Sequence, residues 1–159
     1  MKHLVSKQFI ALCFFLIGCS QSTEPRNESS VAYTAYTGYS YGGPRPASDT
    51  TLFFQTTSES SFDSLFFFVS DHNSNPSIPS SDLSSKKVVS VVKYGNKYYT
   101  LQVSKVTLLG TTLKVYYEST LDSANMTWVA AIPLIVTQNA TYQRIEFIEN
   151  GTLVEELTI

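Results

Sequence analysis

Charge is scarce in this chain of 159 residues: only 15% are Asp, Glu, Lys or Arg, and the formal net charge is −2. The 11 basic residues are too few and too scattered to form an electrostatic footprint for nucleic acid. With 7 glycines and 6 prolines, the chain has too little of either for collagen or a Pro/Gly-rich polymer. There are two cysteines and two histidines, which leaves little material for a disulfide framework or a soft-ligand metal site. What is abundant is apolar: 43% hydrophobic and 13% aromatic residues, enough to fill the core of one domain of this length.

The first apolar run, Phe9-Ile10-Ala11-Leu12-Cys13-Phe14-Phe15-Leu16-Ile17, follows Lys2, His3 and Lys7. It is too short to cross a bilayer core of about 30 Å as a helix, so it reads as the apolar region of a secretory signal. It ends in Leu16-Ile17-Gly18-Cys19, which resembles the bacterial lipobox. That resemblance implies a signal peptide over residues 1–18, cleavage before Cys19 and lipidation of Cys19. Ser20, a residue other than Asp after the cysteine, implies an outer-membrane address. The expected location is therefore the bacterial cell envelope, with the lipid as the membrane contact. Cleavage removes Lys2, Lys7, His3 and Cys13, leaving nine basic against 13 acidic residues, a formal charge of −4. With Cys19 modified, no thiol remains for a disulfide, a zinc site or a nucleophile.

Residues 20–32 are polar and read as a flexible tether, part of a lipidated leader and tether over 19–42. A single β-rich domain is expected over 43–159. Before its start, Tyr33, Tyr36, Tyr39 and Tyr41 crowd into nine positions whose spacing fits neither one strand face nor one helical stripe. Thr51-Leu52-Phe53-Phe54-Gln55 reads as a strand. Thr57 or Ser58 then caps an expected helix near 58–69, with Phe62, Leu65, Phe66 and Val69 at i, i+3, i+4 and i+7. Residues 70–85, rich in Ser, Asn and Pro, read as a long loop.

Thereafter the period is two. Residues 88–94 and 97–106 flank Gly95-Asn96, a two-residue turn signal, which would pair Val92 with Tyr99, Ser90 with Leu101 and Val88 with Val103. Leu113, Val115 and Tyr117 alternate inward, with Lys114, Tyr116 and Glu118 outward. Residues 128–136 are apolar, and Pro133 places that strand at an edge or a bulge. Residues 144–149 and 152–157 flank Asn150-Gly151, a second hairpin, setting Ile148 against Leu153, Phe147 against Val154 and Glu146 against Glu155. The expected fold class is mostly β (α+β): an antiparallel sheet, sandwich- or barrel-like, with one short helix.

Chemistry finds little purchase. His72 is the sole histidine after cleavage and lies in the polar stretch Ser70-Asp71-His72-Asn73, with no Gly-x-Ser-x-Gly elbow anywhere in the chain. Asp71, Asp82 and Asp122 lack calcium-loop spacing, and Glu146 with Glu155 belongs on a wet hairpin face. No enzyme activity, metal or other cofactor is expected.

Several segments carry a resemblance: residues 51–69, Asp82-Leu83-Ser84-Ser85-Lys86 leading into Val88-Val89-Ser90-Val91-Val92-Lys93-Tyr94-Gly95, Leu113-Lys114-Val115-Tyr116-Tyr117-Glu118, Ala131-Ile132-Pro133-Leu134 and Arg144-Ile145-Glu146-Phe147. Together they resemble the C-terminal domain family of the protease-complex subunit PrcB, small β-rich domains of bacterial lipoproteins. After Gly95 this chain has Asn96-Lys97-Tyr98-Tyr99 where such domains carry a Gly-Gly-Tyr-like turn. The resemblance implies a membrane-anchored protein-binding module, an accessory or inhibitor-like partner of a secreted or envelope protease. The alternative from the residues alone is a surface carbohydrate-binding or adhesive lipoprotein that uses exposed tyrosines. The expected partner contacts are Asp71, His72 and Asn73 in the loop, Gly95 and Asn96 at the turn, and Tyr98 and Tyr116 on the outward face.

Overall fold

A run such as Val88-Val89-Ser90-Val91-Val92 carries β-branched side chains on both faces of an extended chain, so it suits a strand covered on both sides. The computed structural model describes residues 27–46, 48–69, 76–136 and 141–159, with only the backbone of 123–129 and 134–136. In chain order its elements are β1 (Ser29–Ser30), β2 (Tyr33–Ala35), β3 (Tyr39–Tyr41), β4 (Thr50–Thr56), α1 (Glu59–Asp63), β5 (Phe66–Phe68), α2 (Ser80–Ser85), β6 (Val88–Leu109), β7 (Thr112–Val136), β8 (Arg144–Glu149) and β9 (Thr152–Thr158). The fold is mostly β and sandwich-like, and it does not close into a barrel.

Its frame is one long hairpin, β6 and β7, of 22 and 25 residues. The hairpin does not turn at Gly95-Asn96 as expected. β6 continues through both residues, and the turn falls at Gly110-Thr111, with Leu109 opposite Thr112 and Gly110 at φ 61°. The expected pairs are therefore replaced: Val92 faces Ala131, Ser90 faces Pro133 and Val88 faces Ile135. Asp49 explains the difference locally, because its Oδ1 accepts the Asn96 N–H at 2.8 Å and fixes that backbone in the ladder.

A straight 25-residue strand would be about 80 Å long. Yet the Gln143 N–H donates to the Thr111 carbonyl at 2.9 Å, only seven residues after β7 ends, and seven residues reach at most about 25 Å. The hairpin is therefore folded back on itself. Three register shifts permit the bend: between Gly95 and Lys97, between Tyr98 and Tyr99, and between Val103 and Lys105. Such extra residues kink a strand and raise its twist. The folding brings Val89, Val91 and Ile132 from the open half of the hairpin against Val106, Leu113, Val115 and Tyr117 from the half nearer the turn, and β8 adds Ile145 and Phe147. Phe53 of β4 meets Phe147 with ring centroids 4.6 Å apart. The inward assignment of Leu113, Val115 and Tyr117 holds, all three at 1% exposure or less.

The other face of the open half is covered by α1, α2 and the two-stranded ribbon of β3 and β5. Val88 and Val92 pack there with Tyr39, Tyr41, Phe62, Phe66, Ile78 and Leu83. The expected 58–69 helix is a single turn. Ser58 caps it, its Oγ accepting the Ser61 N–H at 3.2 Å while Ser61 Oγ accepts the Ser58 N–H at 3.3 Å. After Asp63 three consecutive phenylalanines leave the helix, since aromatic side chains fit a pleated ribbon and Tyr39–Tyr41 supplies the partner strand. Phe66 is buried, whereas Val69, the next position of the expected helical stripe, is exposed. The expected 70–85 loop is also corrected in its second half: Ile78 and Leu83 are buried, and Ser80–Ser85 is helical.

The folded unit begins before the boundary expected at Gly43. β1 pairs with the far end of β6, β2 pairs with the end of β7, and Val31, Tyr39 and Tyr41 are core residues. The Tyr36 N–H donates to the Pro133 carbonyl at 2.9 Å. Because N–H and C=O of a strand residue point the same way, the donor that Pro133 lacks is missing where β2 ends and not in the ladder to β6.

β8 runs parallel to the start of β7 and pairs antiparallel with β9 through Asn150-Gly151, both at positive φ (48° and 83°), as a two-residue hairpin requires. The Asn150 amide also bridges the Ser119 backbone, accepting its N–H at 3.1 Å and donating to its carbonyl at 3.2 Å. A bulge at Val154 alters the expected register: Ile148 does face Leu153, but Phe147 faces Glu155 and Glu146 faces Glu156. Arg144 lies 3.3 Å from Glu156 and Lys114 3.8 Å from Glu146, so cations accompany the facing carboxylates.

Candidate functional site

Thr50 opposite Tyr94 is the last pair of β4 with β6. Beyond it β6 loses that neighbour and meets its first register shifts, and the sheet there cannot be flat. The result is a cleft of about 470 Å³, in the range of ligand pockets. Tyr94, Tyr98, Tyr99 and Leu101 of β6 line it, facing Gly38–Ser40 and Val69 of the ribbon layer, with the exposed Arg45 beside them. A smaller cleft of about 270 Å³ shares Tyr94 and Tyr99 and adds Asp49, Lys93, Gly95 and Lys97.

The walls are held by buried polar contacts. Tyr39 receives the Ile78 N–H on its phenolic oxygen at 2.8 Å, and burial pushes its hydroxyl pKa up despite that donor. Lys93 lies 4.7 Å from the centroid of the Tyr99 ring and 2.7 Å from Glu149 Oε1. Tyr117 donates to the other oxygen of Glu149 at 2.9 Å. Burial alone would raise the Glu149 carboxyl, but the hydrogen bonds from Lys93, Tyr117 and Ser119 outweigh it and hold the group below its ordinary value. Burial, reinforced by donation to Glu149, drives the Tyr117 hydroxyl well above the usual phenol range. A Lys–Glu–Tyr set thus ties β6, β8 and β7 together directly behind the cleft.

Gly95 permits the close approach of Asp49. A Cβ at position 95 would lie 2.7 Å from Asp49 Cγ and 3.0 Å from its Cα. Of the expected contact residues, Gly95 and Tyr98 line these two clefts, and Asn96 adjoins them, exposed and bonded to Asp49. Tyr116 does not join them. It lies opposite Lys105, roughly 20 Å along the ladder from Tyr98. There Lys105 covers its ring at 4.1 Å and its hydroxyl bonds to Glu28, which also accepts from Lys114 at 2.8 Å. Cys19, Asp71, His72 and Asn73 lie outside the described residues.

Sequence reasoning missed Arg45, Tyr94 and the Gly38–Ser40 wall. One signal was present: Arg45 is the sole charge in residues 29–48. Among the described residues no group of three or more His, Cys, Asp or Glu is placed to hold a metal ion, and none of their helices is long and apolar enough to cross a membrane. Comparison of the chain with protein-family models, with curated proteins and with solved structures found no match.

Proposed function

We propose that this chain is a lipid-anchored protein-binding module of the bacterial cell envelope, an accessory or inhibitor-like partner of a secreted or envelope protease, and that the tyrosine-lined cleft receives the partner. The observation that carries the binding role is the cleft itself. Three tyrosines from one bulged strand stand in an open concavity, on a frame made stiff by two buried cores. Amphipathic rings on a rigid scaffold contribute large contact area with little loss of side-chain freedom on binding. The anchoring rests on the lipobox-like segment ending at Cys19, and the protease on the sequence resemblance.

The test is site-specific photocrosslinking of the full chain in intact envelopes, with the crosslinker replacing Tyr98 or, as a control on a distant strand, Glu155. The expected result is a protease adduct from position 98 and none from position 155. Adducts from position 155 alone would move the binding surface away from the cleft, and a position-98 adduct to polysaccharide would favour the carbohydrate-binding alternative.

A further inference from the structure

We infer that the cleft selects an acidic peptide segment, one that sets carboxylates beside an aliphatic side chain; this rests on the cleft being the binding surface. The distribution of cations carries the inference. Among the described residues, Lys86, Lys93, Lys114 and Arg144 are each paired with a carboxylate: Asp82, Glu149, Glu28 and Glu156 respectively. Lys87 and Lys105 lie over the rings of Tyr142 and Tyr116. Arg45 and Lys97 have neither kind of partner, and these two line the adjoining clefts that share Tyr94 and Tyr99. Among the described residues, the cations that have neither kind of partner are thus gathered at one place.

Asp49 is the acid that lines the same surface, and its Oδ1 is already engaged by the Asn96 N–H. Asp122 lies close by and takes the Thr100 hydroxyl. Arg45 retains its full fork of donors for a carboxylate. The aliphatic part of the lining favours a peptide. Val69, Leu101 and Ile132 give an aliphatic side chain a seat beside Tyr94 and Tyr98, and one face of Tyr99 is occupied by Lys93. An aliphatic side chain flanked by Asp or Glu matches both features.

The experiment titrates the mature lipoprotein in detergent with three acetylated heptapeptides in which a central leucine is flanked by glutamates, glutamines or lysines. Tyr98→Ala serves as the site control. The glutamate peptide should bind about three- to tenfold tighter than the glutamine peptide at low salt, with the preference shrinking as salt rises. Arg45→Gln and Lys97→Gln should each weaken the glutamate peptide about two- to fivefold, the range of an exposed ion pair, with unchanged melting temperature. Equal affinity for glutamate and glutamine peptides, lost in Tyr98→Ala, would overturn the acidic selection while leaving the cleft as the binding surface. Binding of no peptide, or binding indifferent to Tyr98→Ala, would overturn both. Preference for an oligomeric uronic acid over all three peptides would replace the peptide with an acidic polysaccharide.

Discussion

Glu149 is the residue on which the folded hairpin's two halves agree, since it takes hydrogen bonds from Lys93 on one and Tyr117 on the other. Its carboxyl is lowered in the folded chain relative to the ordinary value of 4.5. The sign follows: its contribution is complete above that value and is lost as the pH falls through the lowered folded one. Glu149→Ala should lose about 3 kcal/mol at neutral pH, because it strands a poorly solvated ammonium and a buried phenol. Denaturant unfolding at pH 7 and in acid should show the parent falling steeply and the variant much less; parallel losses would place the acid sensitivity elsewhere. Ser90 is the opposite case. Its side chain is wholly buried between Val88 and Val92 and its hydroxyl lacks a partner among the described residues. Ser90→Ala should be neutral or stabilising by about 1 kcal/mol, read as an unchanged or raised melting temperature.

At the scale of elements, the register shifts of β6 and β7 make both the fold-over and the cleft. Gly95→Ala forces its new methyl against the side chain and Cα of Asp49, and should cost about 1–3 kcal/mol while weakening ligand binding at the cleft. Chemical shifts of the Asn96 amide would report whether the Asp49 contact is the one that gives way. The same turn explains what was legible in the sequence. Gly95-Asn96 and Gly110-Thr111 are both acceptable hairpin signals, and local chemistry favours the former. The contest is decided by Asp49, 47 residues away from Asn96, and by the gain from forming twenty residue pairs instead of the seven that strand 88–94 could make with 97–103. Asn150-Gly151 was legible because both residues need positive φ and no distant group competes. The one-turn helix was half legible: the Ser58 cap is local, whereas the exit into β5 depends on Tyr39–Tyr41. Tyr98 was found because it is polar-faced in an alternating strand, but its separation from Tyr116 depends on which hairpin forms. At the edge strand β9, the Val154 bulge and the adjacent Glu155 and Glu156 protect an otherwise open ladder from pairing with another copy.

For the whole molecule, the leading segment belongs to the fold. A chain starting at Gly43 lacks Val31, Tyr39 and Tyr41, together with three strands, and should lose cooperative unfolding, whereas one starting at Asn27 should keep it. Calorimetry of the two lengths distinguishes these outcomes. Changing Cys19 to serine should release the folded chain from the membrane or leave it unprocessed; detergent-phase partitioning with the parent's mature mass would refute the anchor. The pairing of Ser29 with Leu108 and of Tyr33 with Val136 has a temporal meaning as well. A chain that emerges from its N-terminus exposes these early strands, and the aromatic ribbon next to them, long before their partners follow. Until the last third arrives, their hydrogen-bonding edges and apolar rings are open to any neighbouring chain. The order in which the chain emerges is thus opposed to the order of closure, and the fold becomes safe from misassembly only when its last third is present.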